Sequence, residues 1–198
     1  MEKAFDEIAI GLLRQTKIVT PKDHFHLREI EIYYYDKDHH PDPYAHKSKR
    51  QAEFGEWYFH RFTDIATFLN SNRNGVDITF GNRADGTFGG ILIRKIQNTK
   101  SGELIVGINK VARKLIENVG EEFINEIALG FGQKVFDKEQ PLHLEVDGNN
   151  YSAAIFKTQR NGLSFKEDEL AKKYYKIAYC YYNHNLNVSE ITEVRPAT

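Results

Sequence analysis

Residues 24–35 read HFHLREIEIYYY, and the phase of this run decides the fold. Side chains alternate between the two faces of a β-strand, so Ile30, Ile32 and Tyr34 share one face while Glu29, Glu31, Tyr33 and Tyr35 share the other. The first is a core face. The second sets two carboxylates among tyrosines, a composition that calls for a reason beyond solvation. Residues 36–51, DKDHHPDPYAHKSKRQ, then form a polar excursion in which Pro41 and Pro43 hold the chain extended or turned.

Upstream of this strand, Phe5, Ile8, Leu12 and Leu13 recur at helical spacing and predict a helix over 3–14. Downstream, EWYFHRF is a second strand, and TDIATFLNSNR is either one helical turn or a long loop. NGVDITFG alternates Val76, Ile78 and Phe80 as a third strand behind an Asn-Gly turn. A Gly-rich turn leads into GGILIRKIQN, a fourth strand with Ile91 and Ile93 on one face and Leu92, Arg94 and Ile96 on the other. Arg94 is therefore flanked by apolar neighbours and needs a carboxylate partner, for which Glu31 and Glu29 are the candidates. Val111, Leu115, Phe123, Ile124 and Ile127 predict two helices separated near Gly120. LHLEVDGNNYSAAIFKTQR reads as a hairpin around residues 147–150, and the tail as a short helix over 166–173 followed by a Tyr-rich strand. With no repeat and no linker, the class is α+β in one domain, with a mainly antiparallel sheet.

A chain of 198 residues with 40% hydrophobic content can bury one substantial core. Tyr (11) and Phe (13) are abundant, which suits aromatic-lined pockets. The single Cys excludes an internal disulfide. No signal peptide and no long apolar run are read, so the expected setting is a reducing compartment, the cytoplasm, without membrane association. A net charge of −1 provides no basic field over the whole molecule, so contact with nucleic acid has to be local. The local candidate is HKSKRQ, where Lys47, Lys49 and Arg50 crowd together, although a run of bases on a loop is also an ordinary solvated surface.

Three chemistries compete for the polar strand face. A metal site would draw on His24, His26, His39, His40, His46 and His60, but no second ligand pair stands at fixed spacing, and surface histidines account for the cluster better. No metal or other cofactor is assigned. Nucleophilic chemistry at Cys180 lacks an ordered histidine, and GNRADGTFGG lacks the ending of a phosphate loop. Acid–base chemistry remains: Glu31 and Tyr33 share a face, Arg94 lies on another strand, and Trp57, Tyr58 and His60 offer flat surfaces for a planar heterocycle.

LREIEIYY, followed by His46 and Arg50, resembles the core of the alkyladenine (3-methyladenine) DNA glycosylase family. In collinear order, IAIGLLRQTKIV, GEWYFHR, NGVDITF, GGILIRKI, GINKVARKL and KTQRNGLS are similar to further segments of that family, from about residue 7 to 190. The resemblance implies a methylpurine-DNA-glycosylase-like domain over 1–198, with a curved antiparallel sheet flanked by helices and a pocket for a base swung out of damaged duplex DNA. It implies Glu31 as the base that activates water and Arg94 as the arginine beside it. Tyr33 and His46 would contact the extruded base, and Tyr58 or His60 would form the opposite wall. Lys47, Lys49 and Arg50 would touch DNA, and no protein partner is inferred. Excision of alkylated purines in base-excision repair follows as the expected activity.

The chain departs from that pattern at two places. Asn74 stands where the family has an aromatic wedge, with Phe68 or Leu69 of the insert over 62–73 as possible replacements, and Phe80 and Gly81 stand where an asparagine would end the strand. These departures leave two other readings: a nucleoside or single-strand N-glycosidase, and a noncatalytic nucleic-acid-binding protein on the same fold.

Overall fold

A computed structural model describes residues 1–72, 74–130, 132–147, 154–183 and 192–194. The opening helix α1 (Glu2–Gln15) buries Phe5, Ala9, Leu12 and Leu13, the stripe expected from their spacing. It runs into a short strand, β1 (Thr16–Val19), that periodicity did not reveal, because four residues are too few to show a period. The long strand β2 (His24–Asp36) follows as read, and the excursion after it turns back through β3 (His40–Pro41) to pair with the end of β2. A single 3-10 turn (Lys49–Ala52) precedes β4 (Phe54–Phe59). The ambiguous insert is helical: α2 (Ile65–Asn70) starts at Asp64, whose carboxylate accepts the Thr67 N–H at 2.8 Å.

β5 (Val76–Phe80) and β6 (Phe88–Asn98) match the third and fourth expected strands, and β7 (Leu104–Val106) folds back on β6. The helices α3 (Ile108–Val119) and α4 (Glu121–Leu129) are broken at Gly120, whose φ of 97° is open to glycine and strained for other residues. After β8 (His143–Val146) and β9 (Ile155–Thr158) come α5 (Glu169–Lys176), β10 (Cys180–Tyr182) and β11 (Thr192–Val194). The expected hairpin over 142–160 is not formed. β8 pairs with β1, while β9 pairs with β10 and β11; the turn residues 148–150 lie outside the described residues.

These strands form one antiparallel sheet with the path β11-β9-β10-β2-β6-β5-β4, curled into a half-barrel with helices against it, an α+β architecture. On its inner face Ile30, Ile32, Ile78, Ile91, Ile93 and Trp57 join Leu13, Val111 and Leu115 in a single core, and the Trp57 indole donates to the Leu142 carbonyl at 2.9 Å. Each such side chain contributes about 1.5–3 kcal/mol on burial. No helix among the described residues is long and apolar enough to cross a membrane.

Alternation fails between β2 and β6, with consequences for the site. Leu27 pairs with Ile96, Glu29 with Lys95, and Ile30 with Ile93, so Arg28 and Arg94 are each an extra residue in their strand. This double bulge shifts the phase of β6, and Ile96 joins the core instead of sharing the Leu92 face as simple alternation requires. Arg94, displaced from the ladder, is re-aimed toward β2.

His40, read as one of the surface histidines, is buried. Its Nδ1 donates to the Tyr34 carbonyl at 2.9 Å and its Nε2 accepts from the Tyr179 hydroxyl at 3.0 Å, the neutral tautomer. Burial pushes its pKa below the ordinary 6.5, and half-buried His26 moves the same way for the same first reason. The folded chain thus binds fewer protons than the unfolded one, so stability is full above about pH 6.5 and is lost as pH falls from there through the folded values. Urea denaturation at a series of pH values is expected to show this loss, and His40→Gln to reduce its slope; an unchanged slope would exclude His40 as a contributor.

Candidate functional site

The outer face of the sheet carries a row set by strand register. Cys180 of β10 pairs with Glu31 of β2, Glu31 with Leu92 of β6, Leu92 with Asp77 of β5, and Asp77 with Tyr58 of β4. Directly paired residues share a face, so this row lies side by side. Above it opens a cavity of about 920 Å³, within the range of roughly 300–1,000 Å³ usual for ligand sites. Its wall includes Tyr33, Tyr44, His46, His60, Leu92 and Arg94.

Glu31 is 0% exposed and sits directly behind that wall. Its Oε2 accepts from the Tyr33 hydroxyl at 2.8 Å. Its Oε1 accepts from the Asn161 backbone N–H at 2.6 Å and side-chain amide at 3.3 Å, with Arg94 Nη1 at 3.4 Å. A carboxylate stripped of water costs several kcal/mol unless compensated, and these donors compensate it. Glu29 is held alongside by Lys95 at 2.8 Å and Arg94 Nε at 3.1 Å, so two acids face two bases and the cluster is neutral. Burial opposes the Arg94 charge, but Glu31 and then Glu29 outweigh it and raise the guanidinium pKa. Burial followed by Glu31 pushes the Tyr33 phenol up, which keeps it a hydrogen-bond donor. Burial likewise pushes up the Cys180 thiol, making it an inert neighbour.

Across Leu92 lies a second polar group. Asp77, 1% exposed, accepts from the Gln51 amide at 2.9 Å through Oδ2, while its Oδ1 is 2.7 Å from His60 Nε2. That last approach is off the line of a straight hydrogen bond, and neither atom has another hydrogen-bond partner among the described residues. Gly90 makes room for this arrangement, since a Cβ there would collide with Asp77 Oδ2 and Gln51 Nε2. The His46 ring stands edge-on to His60 at 5.3 Å, and burial, then His60, lowers its pKa.

The expected residues divide clearly. Glu31, Tyr33, Arg94, His46 and His60 come together at the cavity. Tyr58 does not line it; its ring backs His60 at 4.9 Å. Lys47 and Lys49 are exposed, but Arg50 is buried and donates to the carbonyls of Trp57 at 3.0 Å, Ile127 at 3.4 Å and Gly130, beside Glu56. Arg50 is therefore a structural arginine and not a surface contact for DNA: the 3-10 turn rolls it inward, which a run of bases does not disclose. Phe68, offered as a wedge, packs inside against Phe59 and Phe62, and Leu69 is partly buried against the same core. Asn74 is buried too and donates to the Phe68 carbonyl.

Several residues were not foreseen. Asp77 occupies the polar phase of VDITF, opposite Val76, Ile78 and Phe80, the same signal that singles out Glu31. Exposed Arg61, Lys110 and Lys166 line the cavity from two loops and the first turn of α3, too scattered to read as a patch. Arg160 and Asp42 form a fully buried ion pair, Nη1–Oδ2 2.5 Å and Nη2–Oδ1 3.3 Å, and Arg160 also donates to the Ile32 and Tyr174 carbonyls. Its guanidinium lies 4.5 Å from the Tyr33 ring centroid, and its backbone places Asn161 against Glu31.

Over 176 residues the chain is 31% identical to a protein of Acanthamoeba polyphaga mimivirus described as uncharacterized protein L759, an alignment covering 83% of this chain and 81% of the viral one. No family model matches the chain.

Removing one partner of a buried pair strands the other charge, at a cost of about 3–5 kcal/mol. Asp42→Asn is expected to lower unfolding stability by that order in urea titration, and the double change Asp42→Leu with Arg160→Met to recover much of it. Equal stability of wild type and Asp42→Asn would refute this role.

Proposed function

We propose that the chain, which belongs to one family with mimivirus protein L759, is a monofunctional N-glycosylase for damaged purines in DNA, on a methylpurine-DNA-glycosylase-like fold. The observation that carries this reading is the Glu31 carboxylate, sealed from solvent, hydrogen-bonded by Tyr33 and Asn161, and set against a cavity walled by flat rings.

The chemistry needs little else. An alkylated purine is cationic and leaves readily, so the protein has to hold it, supply a water and oppose the positive charge that develops on the sugar. Tyr33, Tyr44, His46 and His60 offer π-faces suited to a cation or a planar base. Glu31 takes the proton of the attacking water and its charge faces the sugar. Of its contacts, the Asn161 side-chain amide at 3.3 Å is among the longest, and a water can take its place without disturbing the 2.6 Å backbone bond. Arg94 is a positioning residue, clamping Glu29 and Glu31 together. Exposed Lys47, Lys49, Arg61, Lys110 and Lys166 would meet phosphates.

A second reading has its own support. With Phe68 packed in the core and Asn74 turned inward, the described part of the insert presents no aromatic side chain to fill a gap in a duplex. This favours a base that is already unstacked, in a single strand or a free nucleoside, with the same Glu31 chemistry.

Release of modified base from methylated duplex, methylated single strand and 7-methylguanosine separates these readings. Activity on any of the three is expected to fall about 10²–10⁴-fold in Glu31→Gln, the usual contribution of a general base. Duplex preference supports the first reading, and preference for the other two supports the second. No release from any substrate, or equal rates for wild type and Glu31→Gln, would leave a noncatalytic binding role.

A further inference from the structure

We propose that the end of the sheet where Tyr35 and Phe88 pair docks an acidic segment of a partner protein, held by one large apolar side chain and its flanking carboxylates. The proposal is independent of the chemistry in the cavity. A groove of about 320 Å³ opens at this end, near the lower limit of the roughly 300–1,000 Å³ usual for ligand sites. It is lined by Lys49 and Ala52 of the 3-10 turn, Arg83 and Gly86 of the turn between β5 and β6, and Phe88 of β6. The Tyr35 ring lies 6.3 Å from that of Phe88 and carries the Lys47 ammonium 4.2 Å from its centroid. An aromatic floor thus meets a basic rim.

The groove is distinct from the cavity. Gln51 lines the cavity, its amide held by Asp77 and stationed over Gly90, whereas the next residue, Ala52, lines the groove. The 3-10 turn therefore stands between the two openings. Lys49 lines the groove and not the cavity, which turns its charge from the phosphates of a strand seated there toward this site. Both turns are fixed by their own hydrogen bonds. The Ser48 hydroxyl accepts from the Arg50 N–H at 3.3 Å, and the Gln51 side chain accepts from the Ser48 N–H at 3.2 Å. Asn82 and Thr87 exchange backbone bonds of 3.2 and 3.0 Å, and the Asn82 amide donates to Asp85 at 2.6 Å. A site shaped in advance loses little affinity to ordering.

Two further rings extend the surface. Two residues beyond Ala52, Phe54 is 73% exposed, the most of any large apolar side chain among the described residues. Phe136, also exposed, is brought to the same edge by the antiparallel bridge between Glu56 and Lys134 and by the Val135 N–H, which donates to the Gly55 carbonyl at 2.8 Å. Exposed rings gathered beside a groove mark a protein contact. The rim sets the sign of the partner. Lys47, Lys49 and Arg83 are exposed, while of the acids on the same two turns Glu53 is already paired with Arg83 and Asp85 with Asn82. Carboxylates flanking an apolar side chain complement this surface. Nucleic acid fits it less well, because Glu53 and Asp85 interrupt the bases and would repel the evenly spaced phosphates of a strand.

The test uses the full chain and a fluorescein-labelled peptide of aspartates around a single phenylalanine, read by fluorescence anisotropy at low salt. Binding tighter than about 1 mM is expected. It should weaken at least about 10-fold in Arg83→Glu, and equally when the peptide's phenylalanine becomes alanine or its aspartates become asparagines. Phe54→Ser should weaken it as well. Both protein variants change mostly exposed side chains and are expected to keep the wild-type urea midpoint, so lost binding reports the surface and not the fold. No binding up to about 1 mM, or equal binding of the asparagine peptide, overturns the proposal. A single-stranded oligonucleotide that displaces the peptide from wild type and binds Arg83→Glu more weakly assigns the groove to nucleic acid and overturns it too. So does a dimer in sedimentation that Phe54→Ser dissolves, which gives the rings to a second copy of the chain.

Discussion

The constraint that organises this structure is the charge on Glu31. A carboxylate with no solvent contact can remain ionised only if the protein supplies the donors that water would have supplied. Tyr33 comes from the same strand two residues on, Arg94 from the neighbouring strand, and the Asn161 N–H from a loop 130 residues away. Each donor has in turn to be fixed. Arg94 is shared with Glu29, which is closed off by Lys95, and Asn161 is held because Arg160 before it is pinned by Asp42. The polar layer behind the cavity is therefore one connected network, and its members gain strength from one another in a low-dielectric setting.

The double bulge is what makes that network compatible with a sheet. In an unbroken ladder Arg94 would stand opposite Glu29 and Lys95 opposite Arg28; the bulge lets Lys95 pair with Glu29 while Arg94 stays on the same face. Glu29 is thereby held by two bases, and Arg94 also reaches Glu31. The same irregularity returns Ile96 to the core, so one local device serves both faces. Stronger twist at a bulge also agrees with the curl that turns the sheet into a half-barrel around its cavity.

How far the site could be read in advance depended on the range of its contacts. Glu31, Tyr33 and the need of Arg94 for an acid followed from phase along single strands, where side-chain direction is dictated by the backbone. Asp77 was equally legible by that rule, and Gly90 carried a hint of it, because a glycine inside an apolar strand means that something approaches closely. Arg50 and His40 were misread because their burial depends on how a turn rolls, which charge runs and histidine spacing do not encode. Arg160 and Asp42 gave no local sign at all: the pair spans 118 residues, and neither partner sits in a periodic segment. Expected strand pairing fails in the same way at β8 and β9, where turn-forming residues between two strands suggest a hairpin and longer-range partners prevail.

A protein that needed only stability would not be built this way. Apolar side chains of similar volume commonly replace buried ion pairs without loss, so a layer holding Glu29, Glu31, Arg94 and Lys95 is an expensive means of backing a sheet. Its benefit is geometric. With its charges paired inside the layer, the wall is held in place, and Leu92 provides a floor with nothing of its own to offer a polar group. The space above stays open and its dipoles stay aimed, the condition under which fixed charges act on a reacting bond without first reorganising. The two polar groups flanking Leu92 also differ in kind: one is a carboxylate locked by arginine, the other a carboxylate tied to an imidazole. Such a difference between two sides of one cavity arises here simply from which strand stands next to which.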